Sequence, residues 1–384
     1  MSSDCTGKER LEKRTMRFIR ITTKEKTYKL KYKKHMVRRL SQRDKVTEAK
    51  EAIKEYYEFF GGMVFMQYGG GIASDVLKAI AENECGYKIQ TFYLDNGLDY
   101  PEIRQYALDK ADVVIYPKRT FTEEITRDGY PIHDARLAHA IMKYKGKRAS
   151  TASRMKMFEE ITGINPRHYD TEEDLLALEK ECEILNTDFC INRECCYHMF
   201  SHAWERKISD TRRAMISPLN AFDNRGVFAK FREECKCNYY ADYGEGGKVE
   251  GRDVGFKHAR SYPLASWSRA DMLRYIVEHN VEYCKEFYGD IVLVKKVGKE
   301  YYKKYKTTKR YNSKCMFCPN KYHKVWYKNN FEVLKESYPE LYKYLMEGGQ
   351  YKDEKWIPSK KGIGYRHIAE FLNNTYAHEG LGRY

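Results

Sequence analysis

No stretch of about 18 consecutive apolar residues occurs in the 384-residue chain, which argues against a membrane-spanning helix. The first thirty residues lack the apolar run of a secretory signal, and with it the expectation of an oxidising compartment. Internal repeats and low-complexity linkers are missing too, so a solenoid or a disordered chain is not expected. What is present is a 42% share of hydrophobic residues, enough to bury a sizeable core in one large or two ordinary domains. Eleven cysteines, an odd number in a chain without a signal, do not suggest a disulfide framework. Some of them are expected to be metal ligands or reactive thiols. These features describe a soluble, cytoplasmic protein.

Charge is unevenly distributed. The chain carries 70 Lys plus Arg against 55 Asp plus Glu, a net of +15. Residues 1–50 hold 17 basic and 6 acidic residues, and residues 295–328 hold 12 basic residues and one acid, Glu300. Each segment is therefore +11, which leaves the remainder at −7. Aromatics lie among the charges, for example Phe18, Tyr28 and Tyr32 in the first segment and Tyr305, Tyr322 and Trp326 in the second. Cations interleaved with stacking surfaces suit a flexible nucleic acid, such as tRNA or DNA; the alternative is a solvated lysine-rich surface.

Along the chain, residues 1–45 read as a basic arm. A helix with apolar positions at Ala49, Ile53, Tyr56, Tyr57 and Phe60 follows and stops at Gly61-Gly62. Met63–Tyr68 has the form of a buried parallel strand, and Ile72–Ala81 that of a helix. A strand at Lys88–Leu94, a helix near Glu102–Lys110 and a strand at Val113–Tyr116 continue the alternation. Alternating strands and helices predict a doubly wound, mostly parallel α/β sheet. Residues 133–190 read as a helical insertion within a domain spanning 46–290. Residues 291–384 form a basic, cysteine-bearing segment ending in helices, one of them expected over Phe331–Met346.

Three motifs carry the chemistry of the first half. Gly69, Gly70, Gly71 and Ser74 lie at a strand-to-helix junction, where backbone amides and the helix N-terminus can meet an anion. No Gly-Lys-Ser/Thr follows, which excludes a Walker loop, and the spacing is not that of the dinucleotide fingerprint. The loop resembles the Ser-Gly-Gly-x-Asp-Ser pyrophosphate loop of the adenine-nucleotide alpha-hydrolase group, with Gly69 in place of the first Ser and Ala73 in place of the Asp. Second, Asp95-Asn96-Gly97 precedes Pro101-Glu102, which resembles the family turn that ends a strand and opens a helix. Third, Tyr262-Pro263-Leu264-Ala265-Ser266-Trp267-Ser268-Arg269-Ala270-Asp271 closely resembles a segment of the phosphoadenosine phosphosulfate (PAPS) reductase family. Ser268 and Asp271 there form the start of a capping box. The resemblance implies a Rossmann-like fold binding ATP or a PAPS-like nucleotide, with Gly69, Gly70, Gly71, Ser74, Asp95, Gly97 and Arg260 as contacts.

Cys195-Cys196 and Cys315-Met316-Phe317-Cys318 are the tight cysteine pairs. Four such thiolates complete either a zinc site or a 4Fe–4S cluster; free buried thiols are the third reading. Vicinal ligands strain a tetrahedral zinc more than a cubane, whose corners are further apart. A Cys-Cys pair, a long gap and a Cys-x-x-Cys also resemble the cluster site of the adenosine phosphosulfate branch of the family. Cys235-Lys236-Cys237 is a looser pair. His198, His202, His258 and His323 lie near these motifs, as do Arg310, Lys314 and Lys321. No cysteine follows Cys318, so the nucleophilic C-terminal thiol of the family reductases has no counterpart here. The resemblance therefore implies a transferase, moving sulfur or an adenylyl group with the help of a nucleotide and an iron–sulfur cluster. A sulfonucleotide reductase using an external thiol and a non-catalytic nucleic-acid-binding protein are the alternatives.

Overall fold

The computed structural model describes residues 42–132, 135–146, 150–162, 173, 176–177, 180, 182–211, 213–224, 226–228, 231, 236–239, 248–249, 252–253, 259–295, 303–310, 315–319, 322–323 and 328–376. The basic arm up to residue 41 lies outside them, as do Cys235, His258, Lys314, Lys321 and the last eight residues. Two compact units are present: Met1–Thr91 with Arg212–Lys309, and Phe92–Thr211 with Arg310–Tyr384.

The first unit opens with helix α1 (Gln42–Phe59), which buries Ala49, Ala52, Ile53 and Tyr56 along one stripe. It starts four residues inside the segment read as the arm. The reason is Lys45, 1% exposed, whose Nζ meets Asp271 Oδ2 at 2.5 Å. Gly61 and Gly62, at φ +55° and +78°, turn the chain out of the helix. Strand β1 (Val64–Tyr68) follows and is almost wholly buried. The glycine loop leads into α2 (Ile72–Ala79), which runs on into a π turn at Ile80–Glu84.

Strand β2 (Thr91–Leu94) carries the chain into the second unit, where α3 (Pro101–Lys110) starts with proline at its first position. Strand β3 (Val113–Ile115) pairs in parallel with β2, Phe92 opposite Val113. Helix α4 (Phe121–Asp128) has a full capping box, Thr120 with Glu123, and ends at Gly129. Strand β4 (Tyr130–Pro131) comes next. The region read as an insertion holds α5 (Ala135–Tyr144) and α6 (Thr151–Thr162), packed through Tyr144 and Phe158. Strand β5 (Ile191–Asn192) pairs in parallel with β4 and leads through the cysteine pair into α7 (His202–Thr211).

The chain returns to the first unit with β6 (Ala214–Ile216), β7 (Asn238–Tyr239) and β8 (Arg260–Ser261). Within this unit the order is β1-β6-β8-β7, parallel except for the last pair. On its other edge β1 receives the segment before β2, with Met66 N–H donating to the Gln90 carbonyl at 2.9 Å. Crossovers thus leave β1 on one side and β6 on the other, which makes the β1/β6 boundary a topological switch point. Helix α8 (Arg269–His279) carries the expected capping box, Ser268 with Asp271, and ends at Asn280 in the left-handed region. Trp267 is fully buried against Tyr275. Hairpin β9 (Ile291–Lys295) and β10 (Lys303–Thr307) lies within the basic segment.

The second unit closes with α9 (Asn330–Ser337), α10 (Pro339–Met346), the hairpin β11 (Gln350–Lys352) and β12 (Lys355–Ile357), and α11 (Tyr365–Tyr376). The single helix expected over Phe331–Met346 is two. Pro339 has no N–H to continue the ladder and drives Tyr338 out of the helical region, to φ −142° and ψ 67°. The fold class is therefore α/β with mostly parallel sheet, as the strand and helix alternation predicts. No helix among the described residues is long and apolar enough to cross a membrane.

Candidate functional site

In the first unit the glycine loop sits at the carboxyl end of β1, beside the switch point. Gly70 adopts φ +62°, the left-handed region that favours glycine. Ser74 is buried and its Oγ accepts the Gly69 N–H at 3.0 Å, closing the loop on itself. A hydroxyl used as acceptor still has its proton to donate. Tyr68 at the end of β1 donates to Asp75 Oδ1 at 2.6 Å, which fixes the first turn of α2 to the strand. At the carboxyl end of the neighbouring β6, Ser217 Oγ donates to Gln67 Oε1 at 2.7 Å. Arg260 lies one strand further, on β8, and its Nη1 donates to the Ala259 carbonyl. Ser217 escapes a sequence reading, because a lone serine after a three-residue strand carries no motif.

In the second unit Asp95 is buried at the end of β2 and engaged on both oxygens. Arg104 Nε and Nη2 reach them at 2.9 and 2.6 Å, and the Gly97 N–H donates to Oδ1 at 3.2 Å. Gly97 itself stands at φ +72°. Asp95 thus ties the turn to α3 by a two-pronged ion pair. Tyr93 Oη donates to Asp99 Oδ2 at 2.9 Å. Burial pushes the Asp99 carboxyl up to about 6, with the Asp95 charge adding to the rise and the Tyr93 hydrogen bond opposing it. A raised carboxyl contributes stability below its ordinary range near 4, and that contribution is lost as the pH climbs to 6. Urea unfolding between pH 4 and pH 6 should therefore show stability falling with a slope of up to roughly 1.4 kcal/mol per pH unit. Asp99→Asn keeps an acceptor for Tyr93 and should flatten that slope.

The two cysteine pairs, 119 residues apart from Cys196 to Cys315, act on one another in this unit. Burial raises the Cys195 thiol, and Cys196, Cys318 and Glu124 add to the rise. The Cys315 thiol is raised well above its ordinary value by burial first, then by Cys318 and Cys195. Cys196 is exposed and the other three are half-buried. Their supports are specific. Asn192 Oδ1 accepts the Glu194 N–H at 2.6 Å and so starts the helical turn that carries Cys195 and Cys196. Met316 N–H donates to the Leu98 carbonyl at 2.8 Å, and Asn330 Nδ2 donates to the Cys315 carbonyl at 2.7 Å. Phe317 packs beside Phe121 and Tyr344. Asn192 and Asn330 are missed by a sequence reading, because isolated asparagines give no signal at such separations.

The donor set suits a soft metal or an iron–sulfur cluster: four sulfurs, three of them half-buried. Among the described residues no three ligand atoms that include a cysteine sulfur lie within 4.8 Å of one another. A tetrahedral zinc with bonds of about 2.3 Å would draw its sulfurs to roughly 3.8 Å. Cys237, by contrast, is buried in an apolar cluster with Ala52, Val227, Tyr239, Tyr262 and Ala265, and its thiol is raised well above the ordinary value by that burial.

No protein-family profile matches the chain, and no curated protein matches it. Among solved structures it is similar to a PAPS reductase from Candida auris in a phosphate complex, at 10% identity and a TM-score of 0.31, over 70% of this chain and 92% of that one.

Proposed function

We propose that the chain is a PAPS-reductase-like enzyme with two centres, a nucleotide site in the first unit and a 4Fe–4S cluster in the second. Cys195, Cys196, Cys315 and Cys318 would hold the cluster. The nucleotide would lie at the glycine loop, where Gly69, Gly70 and Gly71 offer amides and Ser74 a hydroxyl proton at the carboxyl end of β1. The observation that carries this reading is that two cysteine pairs 119 residues apart in sequence fall in one compact unit, with the Cys195 and Cys315 thiols both raised, by burial first and then by neighbouring cysteines. Because residues 319–384 hold no cysteine to attack a sulfonucleotide, the reaction we favour is nucleotide-dependent sulfur or adenylyl transfer. A bound cluster would supply electrons or an iron position for sulfide. The chain's own part is to seat the nucleotide phosphates on backbone amides and to present the four cysteine sulfurs from two supported turns.

Calorimetric titration with ATP and with PAPS tests the nucleotide half. One nucleotide should bind per chain, and Gly70→Val should abolish it, since a β-branched side chain at φ +62° distorts the loop. Absence of heat with both nucleotides would remove the enzyme reading and leave a binding protein.

The acceptor we favour is a nucleic acid held by residues 1–50 and 295–328. Deleting residues 1–41 should weaken RNA or DNA binding and flatten its salt dependence. A deletion extended to residue 45 removes the buried Lys45 partner of Asp271 and should also cost the fold roughly 1–3 kcal/mol. An unchanged salt slope after the shorter deletion would take the arm out of the account.

A further inference from the structure

Beside the cysteines, and outside any role given to them above, the second unit gathers Glu124, Asp128 and His198. Glu124 and Asp128 stand one turn apart on α4, so their carboxylates share a face of the helix. His198 comes from the π turn Tyr197–Ser201, a backbone form that often marks functional sites. One ligand atom from each of the three lies within 4.8 Å of the other two. His198 Nδ1 makes a short hydrogen bond to Glu124 Oε1 and stands 3.5 Å from Asp128 Oδ2. Glu124 is 1% exposed.

The hydrogen-bond arithmetic of this cluster does not close. His198 Nδ1 has at most one proton to give, and Glu124 takes it. Arg119 Nη1 donates to Glu124 Oε2 at 3.1 Å but is 3.8 Å from Asp128 Oδ2, beyond hydrogen-bond reach. Arg127 Nε lies near the other oxygen, Oδ1, at 3.5 Å. Asp128 Oδ2 is buried and, among the described residues, has no hydrogen-bond donor. Leaving such an oxygen unserved costs about 1–3 kcal/mol, more when it is charged. A cation placed among the three atoms would remove that cost.

We propose that Glu124, Asp128 and His198 bind a first-row divalent metal ion. Bonds of about 2.1 Å place neighbouring ligand atoms roughly 3.0–3.5 Å apart, the spacing already present between Asp128 and His198. Glu194 Oε2 stands 3.8 Å from His198 Nε2, beyond hydrogen-bond reach, and adds negative charge on the far side of the ring. One imidazole with two carboxylates selects manganese, iron or zinc rather than a thiolate-seeking ion. A cavity of about 260 Å³, lined in part by Asp128, His198, Glu194, Asn192, Cys190 and Lys145, adjoins the cluster. Three protein ligands and an open side are the pattern of a metal that keeps positions for water or a small substrate. This site is independent of the nucleotide and cluster reading.

Titration of the full-length protein with Mn²⁺, followed by loss of the free aquo-ion signal in electron paramagnetic resonance, tests it. One Mn²⁺ should bind per chain and raise the melting temperature. Zn²⁺, higher in the affinity series, should displace it. Asp128→Asn should weaken Mn²⁺ binding at least 10-fold while leaving the metal-free protein as stable as wild type. Cys318→Ser should leave Mn²⁺ binding unchanged. The proposal is overturned if the wild-type protein binds no Mn²⁺ at millimolar concentration, or if Asp128→Asn binds it as tightly as wild type.

Discussion

Replacing Gly129 by alanine should destabilise the protein by about 3 kcal/mol or more, measured by urea unfolding. Gly129 has φ +102° and ψ 178°, a region essentially closed to residues with a side chain. Strain of that kind alone costs about 1–3 kcal/mol. The added Cβ would also stand 2.4 Å from the backbone carbon and oxygen of Cys190 and 2.7 Å from its Cβ. Neither carbonyl atom can give way freely, because the Cys190 oxygen accepts the Tyr130 N–H at 2.8 Å and β4 pairs with β5 at that point. Opening this pair moves Ile191 and Asn192, and Asn192 is the residue that starts the turn carrying Cys195 and Cys196. The alanine variant should therefore lose metal at the cysteines as well as stability. A variant within about 0.5 kcal/mol of wild type would show that the β4–β5 junction is not the constraint described here.

Cys315→Ser and Cys195→Ser should each abolish the visible absorption and the iron content of anaerobically purified protein, whereas Cys190→Ser should retain both. A serine hydroxyl does not ionise as a thiol does and is a far poorer ligand for iron. Cys190 is the appropriate control because it is free and exposed, near the same turn, and outside the coupled set. The Cys315 turn is held from both sides by Leu98 and Asn330. The substitution is thus expected to remove a ligand and to leave the backbone where it is, which circular dichroism would check. Retention of iron in both variants would exclude these cysteines as ligands.

What was legible in the sequence was local. Ser268 with Asp271, three residues apart, announces a capping box, and Pro101 announces the start of a helix; both are found. The strand and helix alternation likewise gives the α/β class. Pro339 carried its own warning, and a periodicity running across it read two helices as one. Pairings across the chain left no trace. Lys45 reads as one more charge of a basic arm, because the carboxylate that buries it lies 226 positions away. Glu124 and His198, 74 positions apart, show neither spacing nor composition that would join them. The cysteine pairs fall between these cases: each pair stands out by its spacing, and only the fold brings one to the other. Asp95, expected to face a nucleotide, is bound by Arg104, a partner nine residues on that no turn motif discloses.

The most direct test of the account is elemental analysis of the wild-type protein purified without oxygen. Four cysteines holding one cubane predict about four iron and four acid-labile sulfide per chain, with no stoichiometric zinc. One zinc per chain without iron, or neither metal, would contradict it.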